Sequence, residues 1–270
     1  MKKIILLFLV LITLNSEAQT TISDTSLIAG ITNYTAYPGT SLTVKDIILG
    51  NEMINRNSIV IITGAHSFSP NVNYFQIAYQ GKLFYLNRDY ITLKDNSINF
   101  FKSVLNLDKK ITDSLKVRGL ELSKLYFLKE KLKAIEFIDF CKKRGLLIKK
   151  KSIYDESEYT QGTSFECEVV NLSSKPIKYI TFLIQGYNAV NDKVSSIKML
   201  KGIGPIGNFE SSKYSFDYVW MTDIIDSYKL ISIKIQYMDG SIKTITDTNS
   251  IFDENGNFDL YLKILEEEKK

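Results

Sequence analysis

The sequence predicts a mainly β protein: a small barrel, a long connecting α-helix or helix pair, and an immunoglobulin-like β-sandwich. Three observations carry this reading. Short runs rich in Ile, Val, Tyr and Phe recur between turn signals over 40–95 and again over 146–248. Leucines at helical spacing fill the stretch between them. Pro is scarce, with 4 in 270 residues, so little of the chain reads as linker.

The chain opens with Lys2 and Lys3, then the almost wholly apolar run Ile4–Leu14, then small residues at Ser16 and Ala18. Charge, apolar core and cleavage site in that order form a secretory signal peptide over 1–18, cut between Ala18 and Gln19. The apolar run is about eleven residues, short of the roughly twenty that span a bilayer. The mature chain is therefore expected to be exported, periplasmic or extracellular, with no transmembrane segment.

The whole chain has 34 Lys and Arg against 30 Asp and Glu; without Lys2, Lys3 and Glu17 the balance is 32 against 29, a net of +3. So even a balance makes no electrostatic case for nucleic acid, which requires a clustered basic stripe. Hydrophobic content of 44% and aromatic content of 12% indicate folding rather than disorder. Between the two cysteines, Cys141 and Cys167, an oxidising compartment would permit a bridge. The reading preferred is two buried free thiols, because Cys167 alternates with Phe165 and Val169 and so faces inward.

Residues 19–39, rich in Thr, Ser and Asn, read as an extended lead-in closing on the turn Tyr37-Pro38-Gly39. Within 40–95, Leu42 and Val44 alternate with polar neighbours, and Ile47–Leu49 continues the apolar stretch. Ile59–Ile62 reads as a buried strand, Asn73–Tyr79 and Lys82–Leu86 as a hairpin about Gln80-Gly81, and Asp89–Leu93 as the closing strand. The segment from Tyr74-Phe75-Gln76 through Tyr79-Gln80-Gly81-Lys82 and Phe84-Tyr85 to Asp89-Tyr90 resembles the second half of a bacterial SH3-like domain.

Leu115, Leu122, Leu125, Leu128, Leu132 and Ile135 make one apolar stripe of a helix over 101–144. Lys142, Lys143 and Arg144 suit its negative end, and Gly145 suits its C-cap. Gly119 marks the place where the helix would break in two. The stripe reads either as a homodimer seam or as packing of a connector on its own domains.

Seven strands are expected over 146–248: Leu146–Tyr154, Ser164–Asn171, Lys178–Asn188, Lys198–Ile203, Lys213–Trp220, Leu230–Met238 and Ser241–Thr246. Asp239-Gly240 is the sharpest hairpin signal. Gly202-Ile203-Gly204-Pro205 reads as a β-turn rather than a phosphate loop, because no helix pattern follows it. Lys149-Lys150-Lys151 reads as the guard of an edge strand. Asn171 with Lys175, Ile177–Ile180, Gly186-Tyr187-Asn188, Val219-Trp220 and Gln236–Gly240 form a pattern similar to the C-terminal sandwich of secreted proteins from Bacteroidetes-type bacteria. It is similar, more loosely, to FxLYD-type and other immunoglobulin-like envelope modules. These resemblances imply fold and location and no catalytic activity. Residues 249–270 read as a docking tail, with a short amphipathic helix from Phe258.

Little in the sequence points to catalysis. The single histidine, His66, reads as a loop residue, and no Ser sits in a nucleophile elbow. No cluster of His, Cys and carboxylates suggests a metal, and no cofactor is expected. Aromatics are the suggestive class: Tyr74, Tyr79, Phe84, Tyr85 and Tyr90 could form a ligand-gripping row. The expectation is a non-enzymatic binding or adaptor protein of the bacterial envelope that recognises a peptide, protein or cell-wall component. The alternatives are a structural subunit that dimerises through the helix and a hydrolase of unfamiliar type.

Overall fold

A computed structural model describes residues 28–32, 39–43, 46–49, 54–69, 72–95, 97–155 and 162–268. The expected signal peptide over 1–18, with Ala18 and Gln19, lies outside the described residues, as does most of the expected lead-in. The chain divides into two compact units, Met1–Phe127 and Leu128–Lys270.

In the first unit the strands are β1 (Ile28–Thr32), β2 (Gly39–Thr43), β3 (Asp46–Leu49), β4 (Ile59–Ser69), β5 (Val72–Tyr79), β6 (Lys82–Asn87) and β7 (Ile91–Thr92). They pair in the order β3-β2-β6-β5-β4-β1-β7, a seven-stranded sheet whose two ends do not meet. The expected small barrel is thus corrected to an open sheet. Part of the lead-in is also a strand: β1 inserts between β4 and β7, pairing antiparallel with both. Its short Ile-Ala-Gly-Ile-Thr run carries too little pattern to stand out from the Thr- and Ser-rich context.

Two helices explain why Ile59–Ile62 is apolar without alternation. Helix α1 (Ile98–Leu105) sets Phe101 edge-on to Phe75 at 5.2 Å, in one core with Val60, Ile62 and Ile77. Helix α2 (Lys109–Arg144) lays Gly119 over Ile61, Thr63 and Ala78. Strand β4 is therefore covered on both sides. The expected helix break at Gly119 falls instead at Asn106–Asp108, where Asp108 accepts from the Lys110 amide at 2.7 Å and caps α2. Gly119 is buried mid-helix because an added Cβ would stand 2.7 Å from Thr63 Cγ2. The Gln80-Gly81 turn is the expected hairpin, with φ of 53° and 75° as a two-residue primed turn needs.

The second unit is a two-sheet sandwich. Its strands are β8 (Leu146–Asp155), β9 (Thr163–Asn171), β10 (Ile177–Tyr187), β11 (Lys193–Ile206), β12 (Ser211–Trp220), β13 (Ser227–Tyr237) and β14 (Ile242–Ile245). One sheet runs β12-β9-β8 and the other β11-β10-β13-β14. Phe165 of the first meets Phe182 of the second, ring centroids 6.1 Å apart, in a core shared with Ile184, Trp220, Ile233 and Ile235. The C-terminal half of α2 contributes Ile138 and Cys141 to this core. Its last turn ends on Gly145 at φ 79°, whose amide donates to Cys141 O at 2.8 Å.

The tail forms helix α3 (Asn257–Glu268), which docks by burying Phe258, Tyr261 and Ile264. Asp253 caps it, accepting from the amides of Asn257 at 2.8 Å and Phe258 at 2.7 Å.

Two expectations are corrected here, and one is met. Gly202–Pro205 is not a turn but the end of β11, where glycine lets the strand pass close to the Tyr214 ring and to Ile177 O. Asp89–Leu93 is a single 3₁₀ turn followed by the two residues of β7. The expectation met is that of the cysteines, since Cys141 and Cys167 are buried free thiols within one core.

Candidate functional site

Strands β4, β5 and β6 bear side chains of two kinds. Phe75, Ile77, Phe84 and Leu86 face the core under α1. The other side carries Tyr74, Gln76 and Tyr85, because pairing sets Gln76 opposite Tyr85 and Tyr74 opposite His66. His66 is thus a strand residue, not the loop residue expected. Its exposed imidazole stands edge-on to Tyr85, ring centroids 6.4 Å apart.

A short chain of hydrogen bonds holds the group in place. Thr63 Oγ1 donates to Gln76 O at 3.2 Å and Oε1 at 3.4 Å, and Gln76 Nε2 donates to Tyr85 Oη at 2.9 Å. With its oxygen occupied as an acceptor, the Tyr85 phenol keeps its proton for an outside partner. A ring, an imidazole, an amide and a second phenol on one sheet face can stack on a flat ligand and exchange hydrogen bonds with it.

The five aromatics picked out by sequence separate under this geometry. Tyr74 and Tyr85 are half-buried on the polar-aromatic side, and Tyr90 is exposed. Tyr79 and Phe84 are core residues at 5% and 1% exposure, and Tyr79 packs on Phe127 of α2 at 5.9 Å. The row is corrected to this extent: alternation sends its members to opposite faces. His66 and Gln76 join the site. Sequence reasoning set His66 aside as a loop residue and passed over Gln76, although strand parity from Tyr74 would have placed Gln76.

Both cysteines sit away from any such surface. Burial pushes each thiol up to about 12, which leaves almost no thiolate at neutral pH. Among the described residues no group of three or more His, Cys, Asp or Glu gathers to hold a metal. An open hollow of about 410 Å³ lies in the second unit between the Asn188–Val190 and Asp223–Asp226 loops. Among the described residues no helix is long and apolar enough to cross a membrane. No protein-family model matches the chain, and no curated protein is similar to it.

The apolar stripe of α2 is only partly taken up within the chain, for Leu128 is exposed and Leu122, Leu125 and Leu132 are half-buried. Leu115 is buried in the first unit, and Ile135, Phe137 and Ile138 join the core of the second.

Proposed function

We propose that this chain is a non-catalytic binding protein of the bacterial envelope, and that its first unit receives a peptide, protein or cell-wall ligand on the His66–Tyr74–Gln76–Tyr85 face. The observation that carries the reading is the Thr63–Gln76–Tyr85 chain of hydrogen bonds, which holds an aromatic ring and its phenol in one orientation beside the part of the sheet that α2 covers. A ring fixed before binding loses little freedom when a ligand arrives. The signal-peptide pattern of residues 1–18 supports the reading, because an exported protein would meet peptides and cell-wall glycans as ligands.

The test is co-sedimentation with purified sacculi and capture from envelope extract, comparing the full chain with Tyr85→Ala and Tyr74→Ala. Loss of one ring contact is worth about 1 kcal/mol, or roughly fivefold in affinity. The expected result is weaker retention by both variants at unchanged melting temperature. Retention that is identical for all three proteins, or absent for all three, would sink the reading.

A further inference from the structure

The strands that carry the proposed face differ from the rest of the chain in charge. Lys, Arg, Asp and Glu make up 24% of the whole sequence. Strands β4, β5 and β6 run for 11, 8 and 6 residues, and Lys82 is the one residue of these four types in them. It opens β6 opposite Tyr79, at the far end from Tyr74 and Asn87, and shares the parity of Phe84 rather than of Tyr85. The side bearing Tyr85 thus takes no Lys, Arg, Asp or Glu from these strands. Of the charges that follow β6, Arg88 and Asp89 face each other at 3.8 Å.

Phenols and amides fill that side instead. Tyr74 lies opposite Asn87, and Gln76 opposite Tyr85, so the four form one block. Gln76 Oε1 accepts from Thr63 Oγ1, and its Nε2 donates to Tyr85 Oη. Asn87 Oδ1 accepts from the Asp89 amide at 3.0 Å, which leaves Nδ2 to donate outward. Each amide is anchored through its oxygen, and the donors stand fixed beside two phenol rings.

The block sits inside its sheet, away from any open edge. Strand β5 pairs with β4 and β6, and β6 pairs in turn with β2. An extended peptide therefore finds no edge here to extend by main-chain hydrogen bonds, and a ligand must lie on the side chains. Helix α2 covers the other end of the same side, where Gly119 meets Ala78 and Thr112 stands 3.5 Å from the Cβ position of Gly64. The cover stops short of His66, which is exposed.

We infer that the ligand of this face is an uncharged sugar chain. This rests on the reading of the first unit as a binding module and names what the module takes. A pyranose offers an apolar C–H face that packs on a phenol ring, and rim hydroxyls that each donate and accept. Anchored amides and phenols answer both needs. An ionised ligand would shed water on this face and find no counter-charge. Burying an unpaired ion is far costlier than burying a hydroxyl that keeps its hydrogen bonds. The missing charges thus set specificity, because they leave acidic and basic ligands unpaired.

The test is titration of the full chain, followed by amide NMR shifts, with four neutral trisaccharides: chitotriose, cellotriose, maltotriose and mannotriose. The cationic chitosan trimer and the anionic trigalacturonate are the charged counterparts. At least one neutral sugar should shift the amides of Tyr74, Gln76, Tyr85 and Asn87. Both charged trimers should bind roughly tenfold more weakly, and salt at about 0.5 M should leave the neutral affinity unchanged. Gln76→Glu, equal in size but charged, should raise the cationic trimer above the neutral sugar. The comparison of ligands needs no variant, so it decides the matter even if that protein misfolds. When a sugar binds, retention on sacculi that it competes away assigns the chain to the cell wall, and no retention assigns it to a soluble polysaccharide. A charged trimer that binds as tightly as the best neutral one overturns the inference. So does the absence of any neutral sugar at these amides while envelope extract still yields a partner that Tyr85→Ala loses, and the binding module then stands. If that partner is absent as well, both readings fail.

Discussion

Gly119 shows how a single residue can mislead and then explain. In a helix interior, glycine costs about 1 kcal/mol relative to alanine, and by that rule it marks a break. Here the helix continues, because the side chain that is missing would stand 2.7 Å from the buried Thr63 methyl. Overpacking of this kind costs about 1–3 kcal/mol, more than the propensity gain. Gly119→Ala should therefore lower stability by about 1 kcal/mol, and Thr63→Ser, which removes that methyl, should recover most of the loss in the double variant. Denaturant midpoints for the four proteins check this, and strict additivity would refute the contact. The cysteines make a second prediction at this scale. With both thiols raised to about 12 by burial, alkylation of the folded protein at pH 8 should be about 10³-fold slower than that of a free thiol. Denaturation without reductant should expose both to labelling. Tyr79 and Phe84 were chosen by sequence for the same reason as Tyr74 and Tyr85, and only their strand parity divides them.

Among the elements, sandwich strands were legible almost to the residue. Apolar alternation names the strand, and turn signals such as Asp239-Gly240 end it. Strand β11 ran longer than its pattern, since an edge strand needs no buried residue on every inward position. Strand β1 was missed because five residues in a polar context leave no period to count. The three-stranded sheet is pinned at its centre by Glu166 on β9, with Lys150 of β8 at 3.2 Å and Lys213 of β12 at 2.9 Å. The Lys213 hydrogen bond, helped by Lys150 and opposed by burial, holds the Glu166 carboxyl below its usual value of 4.5. A carboxyl lowered in the folded state lends stability above its unfolded pKa and loses it as pH falls through the lower folded value. The stability gap between wild type and Glu166→Gln should thus be widest near pH 7 and close below about pH 4. Urea titrations at pH 7 and pH 3 measure it, and an equal gap at both would rule this linkage out.

At the scale of the whole molecule, the two apolar cores share no residue. Phe182, fully buried in the second, contacts Phe165, Tyr214 and Phe216. Phe182→Ala should cost about 3–5 kcal/mol and appear as lost amide protection in β9–β13, with protection in β4–β6 retained. Equal loss in both places would show one cooperative core instead of two. The sequence by itself determined the fold class, the long helix and its cap, and nearly every sandwich strand. These follow from local periodicity and turn chemistry, which involve neighbours a few residues apart. Only the tertiary structure decided that the first sheet stays open, that Gly119 is a contact point, and that His66 and Gln76 stand beside Tyr85. Only it, too, separated the charges of the sandwich strands into one mixed and one basic sheet. Each of these depends on which distant strands lie side by side, and a near-neutral total says nothing about where the charges that compose it are placed.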